Sequence, residues 1–235
     1  MKIGRLCAIV SGILILSVVL CTCIRDVVMP PGLVDAWDPS SGERGIILID
    51  PGHGGFDGGA VASDGTVEKN INLGISLVLA DLLRISGYRI EMTRSDDCTL
   101  DETGLTSIRG RKISDMKARL SMYNKSMLVV SVHQNHFSES QYFGTQLLYG
   151  GTGEQARDLA VSIQQSVGNL LKQERLREIK KGPKDVYLMH NATVPVVFVE
   201  CGFLSNPNER NLLKSEEYQK KMAFSIACGM IDYGI

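Results

Sequence analysis

Four residues stand where this chain could most readily do chemistry. "IILIDPGH" delivers His53 directly after an apolar run, on a stretch (48–60) that holds five glycines. "LVVSVH" ends on His133 and "VVFVE" on Glu200, while Glu68 sits between the glycine-rich loop and an amphipathic segment. Two imidazoles and one carboxylate suit a catalytic zinc, which commonly takes three protein ligands and leaves a fourth position for water. His53, Glu68 and His133 would be those ligands. Glu200 would be a free carboxylate beside them, able to take a proton from water as general base. The ligands are 15 and 65 residues apart and form no compact signature of the HExxH kind.

Each residue also has a plainer reading. A histidine after a strand can be a turn residue, and His133 can satisfy a backbone carbonyl. Glu68 reads as an acidic residue near a helix N-terminus, and Asp57 suits turn capping within its glycine loop. His136 and His190 are further imidazoles with less to place them in the set. Glu200 resists such a reading most, because a carboxylate closing an apolar strand is costly to bury unpaired. It wants a metal, a cation or a reaction; Arg94 and Arg119 are candidate partners for a purely structural ion pair. Other chemistries fare worse. The glycine loop is not GxxxxGK[ST], nor GxGxxG opening directly into a helix, and there is no GxSxG elbow. Nothing supports an activated thiol at Cys201.

The elements that must position these residues follow from apolar periodicity. Strands are expected at 45–50, 88–93, 127–132, 144–150, 186–190 and 195–200. Helices are expected at 70–86, at about 114–125, at 154–172, from Asn206-Pro207 onward, and at 215–233, with an irregular insertion over 96–112. Strands alternating with helices imply an α/β fold: a single domain with a mostly parallel or mixed sheet flanked by helices, a phosphorylase/hydrolase-like sandwich. In open sheets of this kind ligands bind outside the carboxyl ends of the strands. His53, His133 and Glu200 would meet there if their strands are neighbours.

Residues 1–25 read as a membrane anchor or signal segment. Lys2 and Arg5 precede 19 uncharged residues (6–24), which is just long enough to span a bilayer. Without a clear Ala-x-Ala cleavage site the uncleaved anchor is the better reading, with the rest of the chain outside the cytoplasm. Residues 26–45, rich in proline, glycine and serine, read as a linker, and residues 46–235 as the catalytic domain. The net charge of −1 gives no basic face for nucleic acid. Six cysteines, three of them inside the apolar segment, make no disulfide framework.

"IDPGHGGFDGGA", "VEKNINLGISLVLADLL", "MTR", "SVHQNHF", "GTQLLY" and "VFVECGFLSNPNE" together resemble the zinc-dependent N-acetylmuramoyl-L-alanine amidases of the Amidase_3 type, over about residues 46–235. The resemblance implies that His53, Glu68 and His133 hold Zn2+ and that Glu200 is the catalytic acid/base. The implied reaction is hydrolysis of the amide between N-acetylmuramic acid and L-alanine in peptidoglycan. The glycines of 52–59 would then keep the metal edge low and open to a glycan strand. A single amidase domain behind an apolar segment, with "LDETGLTSIRGRKISDMKARL" before "SVH", is similar to the sporulation members of that family. They imply spore-cortex maturation on the route to muramic-δ-lactam, needed for germination, and a sporulation lipoprotein as partner. His136 is a departure, since many members carry a small residue there.

Overall fold

The structure, a computed structural model, describes residues 45–152, 154–173 and 175–235. The anchor reading of 1–25 and all but the last residue of the linker reading of 26–45 lie outside these residues. Among the described residues no helix is long and apolar enough to cross a membrane.

Six strands form one mixed sheet: β1 (Ile47–Pro51), β2 (Ile90–Met92), β3 (Leu128–Asn135), β4 (Gln146–Gly150), β5 (Lys180–Lys181) and β6 (Val196–Phe203). Their order across the sheet is β2-β1-β3-β6-β4-β5. β2, β1, β3 and β6 run parallel, and β4 runs antiparallel to β6. The fold class expected from the periodicity is the one observed. Because side chains alternate across a strand, each central strand divides its residues between two cores. Val130, Val132, Val197 and Val199 pack with Ile49 and Leu147 against three helices: α1 (Glu68–Ile85), α3 (Gln155–Leu170) and α6 (Glu216–Tyr233). Leu48, Val129, Val196 and Phe198 face the other way, toward Tyr123 of α2 (Ile108–Tyr123) and Leu188 and Met189 of α4 (Tyr187–Asn191). That second layer is thinner, and the N-terminus of α1 reaches the carboxyl end of β3, where Glu68 accepts Gln134 N–H (3.1 Å).

Helix α1 forms because Ile71, Ile75, Leu79 and Leu83 recur on one face and are buried. It stops at Ser86-Gly87, where Gly87 takes a left-handed conformation. Helix α5 (Pro207–Leu213) starts at Asn206, whose side chain accepts the backbone N–H groups of Asn208 (2.9 Å) and Glu209 (3.2 Å), with Pro207 in the first turn.

Two expectations differ from what is found. Residues 186–190 are expected as a strand; instead Val186 is the N-cap of α4 and 187–190 lie in it, where His190 N–H donates to Val186 O and Ala192 N–H to Leu188 O. Adjacent Leu188 and Met189 are both buried, and five residues are too few for period two to be told from period 3.6. Helix α2 begins at 108, inside the stretch read as irregular, because the hydroxyl of Ser107 caps it by accepting Gly110 N–H (3.1 Å). Strand β5 is not foreseen by the sequence pattern: two exposed lysines carry no apolar signal.

Candidate metal centre

The parallel strands β1, β3 and β6 end side by side. His133 pairs in register with Glu200, and Glu200 in turn with Gln146 of β4, so the three lie in one row across one face of the sheet. His53 follows β1 by two residues, and Glu68 is the first residue of α1. These placements bring His53, Glu68 and His133 together. One ligand atom from each lies within 4.8 Å of the other two. Nε2 of His53 is 3.3 Å and Nδ1 of His133 is 3.1 Å from the same oxygen, Oε1 of Glu68. The two imidazoles stand edge to face, 5.1 Å apart, and His133 stacks on Phe198. Among the described residues no other group of histidine, cysteine and carboxylate side chains gathers in this way. His136 and His190 stand apart from it.

The Glu68 carboxylate is held from several directions. Oε2 accepts Ala60 N–H (2.8 Å); Oε1 accepts Gln134 N–H (3.1 Å) and the Asn72 amide (3.2 Å). Asn72 is one helical turn beyond Glu68, so the two share a face of α1, and its carbonyl oxygen accepts from the Gln134 amide (3.1 Å). Helix α1 has no side-chain cap; its first carboxylate points into the site instead. Burial alone would raise the Glu68 pKa, but His133 and His53 outweigh it and hold the group well below the usual carboxylate range.

His53 adopts a left-handed backbone conformation (φ 62°), uncommon for a residue with a side chain. Its carbonyl accepts from Arg119 Nη2 (2.7 Å), while Arg119 Nη1 and Arg94 Nε donate to Pro51 O and Arg94 Nη2 to Gly52 O. The two arginines thus clamp the Pro51–His53 loop through its carbonyls. They do not pair with Glu200, the role considered for them from the sequence. Arg119 is itself bonded to Asp50, which also accepts from Thr93 (2.6 Å), Ser131 (2.7 Å) and Tyr123. Asp57 sits 3.1 Å from His53 Nδ1 and 3.0 Å from Lys112 Nζ. It therefore orients the ring, beyond the turn-capping role expected of it. Burial would lower the His53 pKa, but its hydrogen bonds to Asp57 and Glu68 raise it to about 9.

Two glycines have a role different from the one expected. A Cβ on Gly52 would lie 2.2 Å from the His133 ring, and one on Gly59 (φ 69°) would lie 2.5 Å from Glu68 Oε2 and 2.7 Å from the His53 ring. They make room for the site's own side chains.

Glu200 differs from its neighbours. Its Oε2 is enclosed and has no hydrogen-bond partner. Burial pushes its pKa up to about 7; His133 and His53 pull it down, and Glu68 adds to the rise. Cys201, on the opposite face of β6, is buried in the apolar core, and burial raises its thiol pKa well above the usual range. Cys98, Cys201 and Cys228 form no disulfide.

Two imidazoles and a carboxylate around one space, with a second, unpartnered carboxylate beside them at the end of parallel strands, are the arrangement that a metal-dependent hydrolytic centre on an α/β fold requires. Comparison with known proteins narrows the class. A family model described as N-acetylmuramoyl-L-alanine amidase matches residues 47–232, and the chain belongs to that family, Amidase_3. It is 36% identical over 205 residues to the germination-specific N-acetylmuramoyl-L-alanine amidase of Bacillus subtilis, covering 85% of this chain and 84% of that protein. It is 26% identical over 235 residues to N-acetylmuramoyl-L-alanine amidase AmiA of Escherichia coli, covering 82% and 77%. The solved structure of the CwlD amidase from Clostridioides difficile, in complex with the GerS lipoprotein, superimposes with a TM-score of 0.77 at 36% identity, covering 80% of this chain and 98% of that one.

Sequence reasoning missed Asn72, Gln134 and the arginine clamp. The first two carried a signal: one is four residues after Glu68 and the other is next to His133. The clamp carried none, because Arg119 and Asp50 are 69 residues apart.

Proposed function

We propose that His53, Glu68 and His133 hold a zinc ion, and that Glu200 is the acid/base in hydrolysis of the amide joining N-acetylmuramic acid to L-alanine in peptidoglycan. The observation that carries this reading is the convergence of the three donors beside a carboxylate that has no other partner. The donors fit zinc: two nitrogens and one oxygen, with the Glu68 carboxylate held in place by Ala60, Asn72 and Gln134. When bound, zinc supplies Lewis-acid polarisation of the carbonyl and acidifies water.

The chain's own residues supply the rest. Asp57 fixes the His53 ring through Nδ1, leaving Nε2 toward Glu68. Ala60, Asn72 and Gln134 hold the Glu68 carboxylate against rotation. Glu200 accepts the proton of the attacking water and passes a proton to the departing amine of L-alanine. Its Oε2 has no other hydrogen-bond partner and so is free for both directions of transfer.

The finer reading is spore-cortex maturation on the route to muramic-δ-lactam, needed for germination. It is supported by the germination-specific relative and by the likeness to an amidase structure that contains a lipoprotein. In this reading the enzyme works outside the cytoplasm, anchored through residues 1–25, with a sporulation lipoprotein as partner.

The test is elemental analysis and peptide release from purified peptidoglycan by residues 26–235, with and without chelator and with and without the lipoprotein. The reading expects about one zinc per chain, with release that stops on chelation and returns with zinc. Release that proceeds without bound metal would overturn it.

A further inference from the structure

The row of His133 and Glu200 ends on Gln146 of β4, which also lines a cavity of about 240 Å³ together with Tyr142, Arg175, Arg177 and Lys180 among others. Three of these linings are cations, against one carboxylate from Glu178. Arg177 is set more firmly than a surface arginine. Its Nε donates to Gln146 Oε1 (2.8 Å), its Nη1 donates to Phe143 O (3.1 Å), and its guanidinium lies 4.8 Å over the Phe203 ring. Gln146 is braced in turn by donating to Glu178 O. Among the described residues no carboxylate is within ion-pair distance of Arg177; Glu209 feels its charge but gives its two oxygens to the N–H groups of Gly144 and Phe203, and no acceptor meets Arg177 Nη2. A planar cation held this way, with an edge to spare, fits a carboxylate supplied by a ligand.

Gln146 is the direct cross-strand neighbour of Glu200, about 5 Å away at the Cα atoms, and Arg177 extends the row beyond it. In an extended stem peptide the α-carboxylate of the second residue, a γ-linked glutamate, lies about 7 Å beyond the scissile amide. We infer that Arg177, flanked by Arg175 and Lys180, binds that carboxylate, so that the site selects stems whose second residue is a free acid over stems in which it is amidated. This inference rests on the amidase reading above, and it makes Arg177 a specificity residue for that reaction.

The experiment measures binding to the zinc-loaded Glu200→Gln chain by calorimetry. The probes are N-acetylmuramyl-L-alanyl-D-glutamate and its D-isoglutamine amide, which differ only in that carboxylate. The acid should bind about tenfold tighter than the amide. Adding Arg177→Gln should bring the ratio to about one with little change for the amide, and Arg177→Lys should keep part of it. The ratio is internal to each sample, so partial misfolding cannot imitate the loss. A ratio near one with Arg177 in place, a ratio unmoved by Arg177→Gln, or no binding of either probe overturns the role. Hydrolysis of peptidoglycan by the wild-type chain without an acid preference would leave the amidase reading standing and sink this one. An acid preference in a chain that hydrolyses nothing would do the reverse.

Discussion

Asp50 on β1 is fully buried and Glu200 on β6 is half-buried with its Oε2 enclosed; both are carboxylates on parallel strands, two strands apart in the same sheet. Asp50 is met by Arg119, Thr93, Ser131 and Tyr123. Burial alone would raise its pKa, but the Arg119 charge and three hydroxyl donors hold it well below the usual carboxylate range. Glu200 meets no donor at Oε2, and burial pushes it up to about 7. One fold has therefore saturated one acid and left the other open. The saturated acid holds the Arg119 clamp that carries His53. The open acid is the one whose proton can move near neutral pH.

Substitutions that exchange these conditions probe the difference. The largest effect should come from Asp50→Asn, which leaves the Arg119 guanidinium buried without its counter-charge. Loss of one partner of a buried pair costs about 3–5 kcal/mol, to be read by denaturant unfolding. A change under about 1 kcal/mol would mean that the network is dispensable. The Asp50 contribution is present above the unfolded carboxylate pKa and is lost as pH falls through the lowered folded value. The stability curves of the wild type and of the Asp50→Asn variant should therefore converge in acid.

Glu200→Gln should move stability the other way in the metal-free protein. The folded pKa of Glu200 is raised from 4.5 to about 7. The stability linked to this group is full below about 4.5 and is lost as pH rises through 7. The amide should therefore stabilise the fold at pH 8, by up to about 3 kcal/mol or several degrees in Tm, and do little at pH 5. Equal Tm values at pH 8 would show that Glu200 is not held in an unfavourable charged state. The smallest effect should be that of Asp57→Ala, which frees the His53 ring and should weaken zinc binding about 10–100-fold without unfolding the chain. Competition against a zinc-binding dye would measure it, and unchanged affinity would assign Asp57 to the turn alone.

The layered fold and the strand ends are legible in the sequence because β1, β3 and β6 are buried runs closed by polar residues, and α1 and α6 carry a full helical period. Residues 186–190 are not, since two adjacent buried side chains look alike in a strand and in a short helix. At the site, His53, Glu68 and His133 can be picked out by type, yet their spacing carries little, because the sheet order β1-β3-β6 is what brings them together. The arginine clamp is hidden for the same reason. Charge alone makes Arg94 and Arg119 candidate partners of Glu200, while the nearer carbonyls of Pro51, Gly52 and His53 and the Asp50 carboxylate take them. Gly52 and Gly59 suggest openness in the sequence. Only the packed structure places the His133 ring and the Glu68 carboxylate where their Cβ atoms would be.

The most direct test of the central claim pairs zinc content with hydrolysis in Glu200→Gln. The account predicts about one zinc per chain, as in wild type, with peptide release from purified peptidoglycan slowed by about 10²–10⁴-fold. Release at the wild-type rate with zinc retained would contradict it and return Glu200 to a structural role.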